Sequence, residues 1–331
     1  MYKKTAYAIL LAALLAAPFF LYPVLLMKIL CFALFACAFN LLIGYTGLLS
    51  FGHAAFFGIA GYICGYALTT LGWPTEVGLV LGTVGGALIG YIMGSLAIRR
   101  QGIYFTMITL ALAQMLYFLC LQVKATGGED GLQGVPRGTL FGILNLTNDL
   151  NLYYLVLAIC IGGFALIVRV IHSPFGQVLK AIKANEPRAI SLGYDVDKFK
   201  LLAFVLSAAL SGLAGATKTL VLGFETLTDV HWSMSGLVVL MTLVGGLGTT
   251  AGPIIGALII IAIENKLGDF GNWLASLTNL DIFRSLGESV TPISGLIFVI
   301  CVLAFRRGIV GELEARINLT DMRFVPNKKF Q

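Results

Sequence analysis

The chain has 331 residues, of which 58% are hydrophobic and only 11% are charged, and its mean hydropathy is +0.93. Because a soluble globular domain carries about 25% charged residues, this composition excludes a soluble enzyme, a nucleic-acid-binding domain and a disordered scaffold. The net charge of +6 reflects 22 Lys+Arg against 16 Asp+Glu. In a chain surrounded by membrane lipid, this excess is typical of cytoplasmic edges rather than of a nucleic acid partner. The six cysteines lie in apolar stretches without CxxC, so we expect buried apolar side chains and no metal site.

Apolar stretches of nearly membrane-spanning length follow one another along the chain. A helix needs about 20 apolar residues to cross the hydrocarbon core. The ten stretches that approach this length are 5–22, 24–43, 52–71, 77–98, 103–123, 152–171, 201–223, 234–247, 251–267 and 291–306. The first resembles a secretory signal peptide, but a second apolar stretch follows it directly, which favours an uncleaved helix. We predict an all-α polytopic membrane protein of about ten transmembrane helices, with one transmembrane domain over residues 1–331.

The positions of the basic residues predict the orientation of these helices. If the N-terminus is cytoplasmic, the cytoplasmic segments and adjoining helix ends hold 16 of the 22 Lys+Arg. The external connections instead carry acidic residues, including Glu225 and Asp229. This bias predicts a multi-pass membrane protein with both termini and the tail 307–331 in the cytoplasm. Three lysines near outer helix ends are expected to extend to lipid headgroups. They are Lys28, Lys218 and Lys266.

Two glycine-rich regions, 40–61 and 241–256, interrupt the apolar pattern. Glycine allows helices to pack closely, but irregular backbone at membrane depth is found only where it is buried in protein or lines a water-filled cavity. Paired interruptions in two halves of a chain, as in an inverted repeat, also mark transport pathways. We therefore predict a translocation path here, with close helix packing as the alternative. The residues predicted to line it are Asn40, Gly44, Thr46, Ser50, His53, Ser235, Thr242, Gly245, Gly246 and Gly248.

His53 is the histidine nearest to the interior of a predicted span. An ionisable group at that depth is a functional hypothesis by default, whereas a hydrogen-bonded structural histidine is the alternative. No Asp or Glu lies in the middle of a predicted span. Because carriers driven by protons or sodium ions usually contain one, the sequence argues against ion coupling.

The hydrophilic stretch 172–200 predicts a short amphipathic helix, with Lys180 and Lys183 on its polar face. The helix should end near Asn185, because Glu186 precedes Pro187, and a second short turn at 188–192 should then reach Gly193. Such a helix either lies on the anionic inner leaflet or is presented to a groove on a cytoplasmic partner. The two consecutive short helices favour docking to a partner.

Three motifs resemble those of LivM-type permeases of branched-chain amino-acid ABC importers. The motifs are GYTGLLSFGHAAFFGIAGY at 44–62, SPFGQVLKAIKANEPRAISLGYDVDKFKLLAFVLSAALSGLAGA at 173–216 and GLVVLMTLVGGLGTTAGPIIGAL at 236–258. The resemblance extends from about residue 30 to 307. The first motif is closer to LivM than to the partner LivH. Urea-type permeases of the same family resemble the sequence as well, so the cargo is less defined than the transport system.

The resemblance implies a permease subunit of the bacterial inner (plasma) membrane that moves branched-chain or other neutral amino acids inward. It implies three kinds of partner: cytoplasmic ATP-binding subunits, a second permease subunit (LivH-like or a second copy) and a periplasmic solute-binding protein that supplies most of the selectivity. The segment 176–193 would insert into a cleft of the ATP-binding subunit. The coupling residues implied there are Gly176, Lys180, Lys183, Glu186, Arg188 and Gly193.

The sequence contains no GxxxxGK[ST] motif and therefore no phosphate-binding loop with which to hydrolyse ATP. The stretch 246–251 matches a dinucleotide-binding pattern but lies between two membrane helices instead of after a strand. No nucleophile, base and orienting group occur together on an aqueous segment. We therefore expect no catalytic residue and no cofactor in this chain, with ATP bound by partner subunits. The alternatives are a permease for urea or short amides, a free-standing channel or secondary carrier, and a structural or receptor subunit.

Overall fold

The computed structural model describes residues 14–142, 144–278, 295–296, 299, 303 and 308–312. Most of the described backbone is helical. The chain divides into two compact units, Met1–Val238 and Val239–Gln331.

Apart from the α4–α5 connection at residues 123–148, the described helices follow one another with short connections. In chain order they are α1 (Pro23–Thr46), α2 (His53–Thr69), α3 (Thr75–Ala97), α4 (Ile103–Gln122), α5 (Asp149–His172), α6 (Pro174–Ala184), α7 (Glu186–Ser191), α8 (Val196–Leu222), α9 (Leu227–Val230), α10 (Trp232–Gly245) and α11 (Gly252–Thr278). Single 3-10 turns occur at Ala17–Phe19, Lys124–Thr126 and Gly128–Asp130. The α4–α5 connection also contains an antiparallel hairpin of β1 (Thr139–Leu140) and β2 (Leu144–Asn145).

Five described helices are long and apolar enough to cross a membrane, namely α1, α3, α4, α5 and α8, whereas α2 and α10 are apolar but shorter. The prediction of a helical polytopic membrane protein is confirmed, and a helix coincides with each predicted span from 24–43 to 251–267. The predicted spans 5–22 and 291–306 lie largely outside the described residues. The total of ten helices and the inverted repeat therefore stay predictions.

Helix α8 packs against α1, α2 and α3 and forms the centre of the unit Met1–Val238. Small residues allow this close packing, because Gly82, Gly86 and Gly90 recur along one face of α3. A Cβ atom at Gly86 would lie 3.0 Å from the Cα atom of Gly212 in α8. The two helices are therefore in backbone contact at this level.

The helices differ in how far they are enclosed by the protein. In α1, 78% of the most apolar window is buried, against 22% in α4. Helices α3 and α4 present large apolar side chains outward, such as Val84 and Met107. Helix α1 is thus an interior element, while α3 and α4 have the outward apolar faces of helices surrounded by lipid. The described cysteines are free and buried or half-buried, as predicted.

The connection between α4 and α5 folds onto the end of α8. Leu132 forms an antiparallel bridge with Glu225. The Arg137 guanidinium donates to the Val221 carbonyl at 2.9 Å and pairs with the Asp149 carboxylate at 2.5 Å. The hairpin within this connection was not predicted, because strands of two residues are too short to produce an alternating pattern.

Candidate functional site

The first candidate feature is a break between α1 and α2 at residues 47–52. Helix α1 ends where Gly47 adopts a left-handed conformation (φ 77°) and its N–H returns to the Ile43 carbonyl at 3.2 Å. Residues 47–52 then lack regular secondary structure until α2 begins at His53. The interruption predicted within 40–61 is therefore present and short.

Side chains from neighbouring helices satisfy the backbone of this break. The Thr106 hydroxyl of α4 donates to the Leu49 carbonyl at 2.9 Å. The Ser235 hydroxyl of α10 accepts from the Ala54 N–H at 2.9 Å and donates to the Phe51 carbonyl at 2.8 Å. Irregular backbone in a membrane protein requires partners of this kind. The break is thus held in a defined conformation by α4 and α10.

His53, the first residue of α2, is completely buried. Its Nε2 atom lies 2.8 Å from the Ser207 hydroxyl, which in turn donates to the Ala38 carbonyl at 2.5 Å. The rings of Phe39 and Phe204 meet the imidazole edge-on, with centroids 4.9 and 6.0 Å away. These contacts join α1, α2 and α8 and favour the structural alternative for this histidine. A role for His53 in the path stays a prediction.

The other predicted path residues of the first unit lie at or just before the break. Asn40, Thr46 and Ser50 are all buried. The Thr46 hydroxyl donates to the Leu42 carbonyl at 2.6 Å, which satisfies it within α1. The predicted residues gathered at the break are Gly44, Thr46, Ser50, His53 and Ser235, with Asn40 in the preceding helix.

The second interruption separates the end of α10 at Gly245 from the start of α11 at Gly252. Gly246 and Gly248 have φ values of 125° and 74°, which favour glycine. The Thr249 hydroxyl donates to the Gly246 carbonyl at 2.8 Å and accepts from the Gly252 N–H at 3.1 Å. This hydroxyl caps the first turn of α11. The predicted path residues of this region, all in the unit Val239–Gln331, are Thr242, Gly245, Gly246 and Gly248.

A buried charge cluster, formed by Lys218, Glu225 and Asp229, was not predicted. The Lys218 ammonium lies 2.5 Å from the Asp229 carboxylate and 3.3 Å from the Glu225 carboxylate. None of the three residues is more than 4% exposed. The expectation that Lys218 extends to the headgroups is therefore wrong. The signal available in the sequence was a lysine in an apolar span followed by two acidic residues, since charges at membrane depth usually pair.

The cluster is buried because the chain turns back along α2 after α8. A Cβ atom at Gly58 would lie 2.8 Å from the Val230 nitrogen, and one at Gly61 would lie 2.6 Å from the Glu225 carboxyl carbon. Both glycines lie inside the continuous helix α2. The close-packing alternative therefore accounts for these two glycines, and the backbone irregularity is confined to residues 47–52.

The segment 172–200 contains two short helices, α6 and α7, as its amphipathic pattern and proline predict. The Asn185 side chain separates them by accepting from the Arg188 N–H at 3.1 Å. The apolar residues Leu179 and Ile182 of α6 are buried against other parts of the protein. Because the protein covers this face, it is not available to lie in a lipid leaflet.

Two of the predicted coupling residues face inward. The Glu186 carboxylate accepts from the Lys200 ammonium at 2.7 Å and from the Gln101 side chain at 2.9 Å. Gly176 is buried, and a Cβ atom there would lie 2.5 Å from the Val170 carbonyl oxygen. Both residues fix the segment to the helix bundle.

Two coupling lysines of α6 lie against the end of α1. The Lys183 ammonium donates to the Gly44 carbonyl at 2.6 Å. The Lys180 ammonium lies 5.8 Å from the centroid of the Tyr45 ring, within the distance of a cation–π interaction. The structure therefore joins the predicted coupling segment directly to the predicted path segment.

The opposite side of the segment is exposed, and residues 188–194 form what we name the 188–194 face. Ile190, Leu192 and Tyr194 are 57%, 70% and 42% exposed. Gly193 turns the chain between them with φ 87°, and the Arg188 side chain is exposed beside them. Large apolar side chains grouped on an exposed polar segment are typical of a protein-binding surface.

Asp195 follows this face and forms the N-cap of α8. Its side chain accepts from the Lys198 N–H at 3.3 Å and pairs with the Lys198 ammonium at 2.7 Å. The hydrogen bond from the Lys198 side chain lowers the pKa of the Asp195 carboxyl. Over the described part of the chain, no group of His, Cys, Asp and Glu is arranged to hold a metal ion.

Comparison with known proteins adds to this geometry. A family model described as "Branched-chain amino acid transport system / permease component" matches residues 23–304. The high-affinity branched-chain amino acid transport system permease protein LivM of Escherichia coli (strain K12) is 25% identical over 257 residues, which cover 71% of this chain and 60% of that protein. The probable branched-chain amino acid transport permease protein LivM of Methanocaldococcus jannaschii is 22% identical over 271 residues, or 68% of this chain and 75% of that protein.

The autoinducer 2 import system permease protein LsrC of Klebsiella pneumoniae is 30% identical over 190 residues, which cover 55% of this chain and 53% of that protein. The chain thus spans less than two thirds of the length of the Escherichia coli and Klebsiella relatives. The family match at 23–304 includes both helix interruptions and the segment 172–200. The resemblance found in the sequence is confirmed, and the chain belongs to the branched-chain amino acid transport system permease family.

Proposed function

We propose that this chain is a translocation subunit of a binding-protein-dependent ABC importer. Branched-chain or other neutral amino acids are its cargo, and partner subunits in the cytoplasm hydrolyse the ATP. A second permease subunit completes the path, and an external solute-binding protein delivers the cargo. The family and the LivM relatives support this proposal.

The 188–194 face is the observation that carries the proposal. The segment 172–200 is fixed to the bundle on one side by the Glu186–Lys200 pair at 2.7 Å. On its other side, the apolar side chains of the face are exposed next to Arg188. A free-standing channel or carrier needs no such surface, whereas a permease driven by a cytoplasmic ATP-binding subunit needs a docking surface on a rigid support. The face meets both requirements.

The two helix interruptions supply the elements that a path requires. Residues 47–52 and 246–251 are non-helical between apolar helices, and the hydroxyls of Ser235 and Thr249 satisfy part of their backbone. A broken helix provides polar backbone groups and a point at which two helix halves can move separately. We place the path of the cargo at these interruptions.

A second cargo class has support from the relatives that are named for autoinducer 2 import. The one from Klebsiella pneumoniae is 30% identical over 190 residues, a higher identity over a shorter length than the LivM relatives show. A small polar cargo that is not an amino acid is therefore the alternative within the same transport mechanism.

Docking can be tested by one substitution on the exposed face. We expect Leu192→Glu to release the ATP-binding subunit during affinity purification of the tagged chain, because it places a charge at a side chain that is 70% exposed and that would be desolvated on docking. The amount of ATP-binding subunit recovered is quantified by mass spectrometry. Gln122→Glu, an exposed position at the end of α4, adds the same charge outside the segment 172–200 and should leave recovery unchanged. Equal recovery with both variants would contradict docking at this face.

A further inference from the structure

The C-terminus of α1 depends on a side chain from outside the helix. The last four carbonyls of an α-helix have no partner within it. In α1, the N–H of the left-handed residue Gly47 donates to the Ile43 carbonyl and so satisfies one of these four. The Gly44 carbonyl is one of those left over. It accepts instead from the Lys183 ammonium of α6, at 2.6 Å.

The charge of Lys183 suits this position. The C-terminus of a helix carries a partial negative charge that a cation stabilises, and α1 is a helix of 24 residues. The aliphatic stem of Lys183 also packs against the turn, since a Cβ atom at Gly47 would lie 3.4 Å from the Lys183 Cγ atom. The contact therefore combines a charged hydrogen bond with packing of the lysine stem.

The contact joins two regions that otherwise have separate roles. Residue 183 lies in the last turn of α6, whose residue Ile182 packs with Ala189 and Val196 around the 188–194 face. Gly44 lies in the last turn of α1, directly before the break at 47–52. One hydrogen bond therefore connects the segment 172–200 to the end of α1, so that a displacement of the segment moves this helix end.

We infer that Lys183 is a positioning residue that transmits movement of the segment 172–200 to the break at 47–52 by holding the end of α1. The inference rests on the proposed function, because the movement originates in the docked ATP-binding subunit. Lys183 touches neither ATP nor cargo in this role. Its effect is on how efficiently hydrolysis drives translocation.

The test measures coupling in the assembled importer. The complex with its ATP-binding and solute-binding partners is reconstituted into liposomes loaded with ATP, and radiolabelled leucine is supplied outside. We expect Lys183→Met to assemble and hydrolyse ATP normally but to move about tenfold less leucine per ATP, a typical size for coupling between two sites. Lys183→Arg, which keeps the charge and the donors, should restore most of the ratio. A wild-type ratio in Lys183→Met would overturn the inference, and so would its failure to assemble, because Lys183 would then be a residue of assembly.

Lys198→Met provides the matched control. Lys198 has the same charge and lies in the same segment, but its ammonium pairs with Asp195 at 2.7 Å instead of with a helix end. The ratio of leucine to ATP should be unchanged in this variant, and an equal loss would overturn the inference.

A second measurement does not depend on the cargo. Leu49→Cys places a thiol at the break, and its rate of alkylation in the complex should change when nucleotide binds. When Lys183 is also replaced by Met, nucleotide binding should no longer change this rate. An unaltered nucleotide response in Lys183→Met would overturn the inference. A different result would contradict the proposed function itself, namely a wild-type complex that contains no ATP-binding subunit or shows no ATP-dependent uptake.

Discussion

Lys218, Glu225 and Asp229 place one ammonium and two carboxyl groups in the interior of the protein, where burial raises the pKa of Glu225 to about 8. Removing ions from water costs several kcal/mol each, and their mutual attraction offsets this only when the geometry and hydrogen bonds are good. Here the Thr219 hydroxyl donates to Glu225 at 2.6 Å and the Thr226 hydroxyl donates to Asp229 at 2.6 Å. The cluster therefore fixes the segment after α8 to both α8 and α2.

The first prediction at this scale concerns the lysine. We expect Lys218→Met to lower the free energy of unfolding by about 3–5 kcal/mol, because it leaves the buried carboxyl groups of Glu225 and Asp229 without their cation. Reversible unfolding in mixed micelles measures the loss. A triple variant that combines Lys218→Met with Glu225→Gln and Asp229→Asn should recover part of the stability, since no unpaired charge then remains. If the triple variant is less stable than Lys218→Met, the assignment of the loss to uncompensated charge is wrong.

The position of Lys218 shows what a hydropathy window leaves out. The window places Lys218 at an outer helix end, and from there the headgroups are the nearest polar surroundings. The structure differs because the following segment packs along the glycines of α2, with Glu225 against Gly61. That packing depends on residues more than 150 positions apart, which no local pattern contains. The pairing of Lys183 with Gly44 is missed for the same reason.

At the scale of elements, close contact between α3 and α8 depends on glycine. A Cβ atom at Gly86 would lie 3.0 Å from the Gly212 Cα atom and 3.1 Å from the Ala208 carbonyl oxygen. Backbone atoms cannot yield as a side chain can, so any larger residue must separate the helices. This contact sets the position of α3 against the central helix.

A glycine substitution tests this dependence. We expect Gly86→Leu to destabilise the fold by about 1–3 kcal/mol or more through overpacking, measured by thermal denaturation of the solubilised protein. Gly162→Leu is the matched control, because a Cβ atom at that glycine of α5 meets nothing within 4 Å. Comparable loss at both positions would mean that glycine content in the helices matters, and the α3–α8 contact does not.

The long apolar helices were predictable because a helix that crosses a membrane needs a continuous apolar stretch, which is visible in the sequence of that helix alone. The helices α6 and α7 were predictable as well, since Pro187 and Asn185 give local start and stop signals. The one-turn helix α9 was not, although Thr226 and Asp229 form a capping box around it. Two reciprocal hydrogen bonds are enough to define such a turn in the structure but leave no periodic pattern in the sequence.

At the scale of the molecule, the two ends of the unit Met1–Val238 are built differently. At one end, the segment 172–200 contacts the end of α1 and the connection between α3 and α4. At the other end, the α4–α5 connection contacts the end of α8. Basic residues concentrate in the connections of the first end. By the positive-inside rule, we predict that this end lies in the cytoplasm.

This orientation predicts which added cysteines an impermeant maleimide reaches from outside intact cells. Phe141→Cys, at a residue that is 71% exposed in the α4–α5 connection, should be labelled without permeabilisation. Leu192→Cys, at a residue that is 70% exposed on the 188–194 face, should be labelled only after the membrane is opened. The unmodified chain provides the background, since its described cysteines are buried or half-buried. Labelling of Leu192→Cys in intact cells would reverse the orientation and place the 188–194 face out of reach of any ATP-binding subunit.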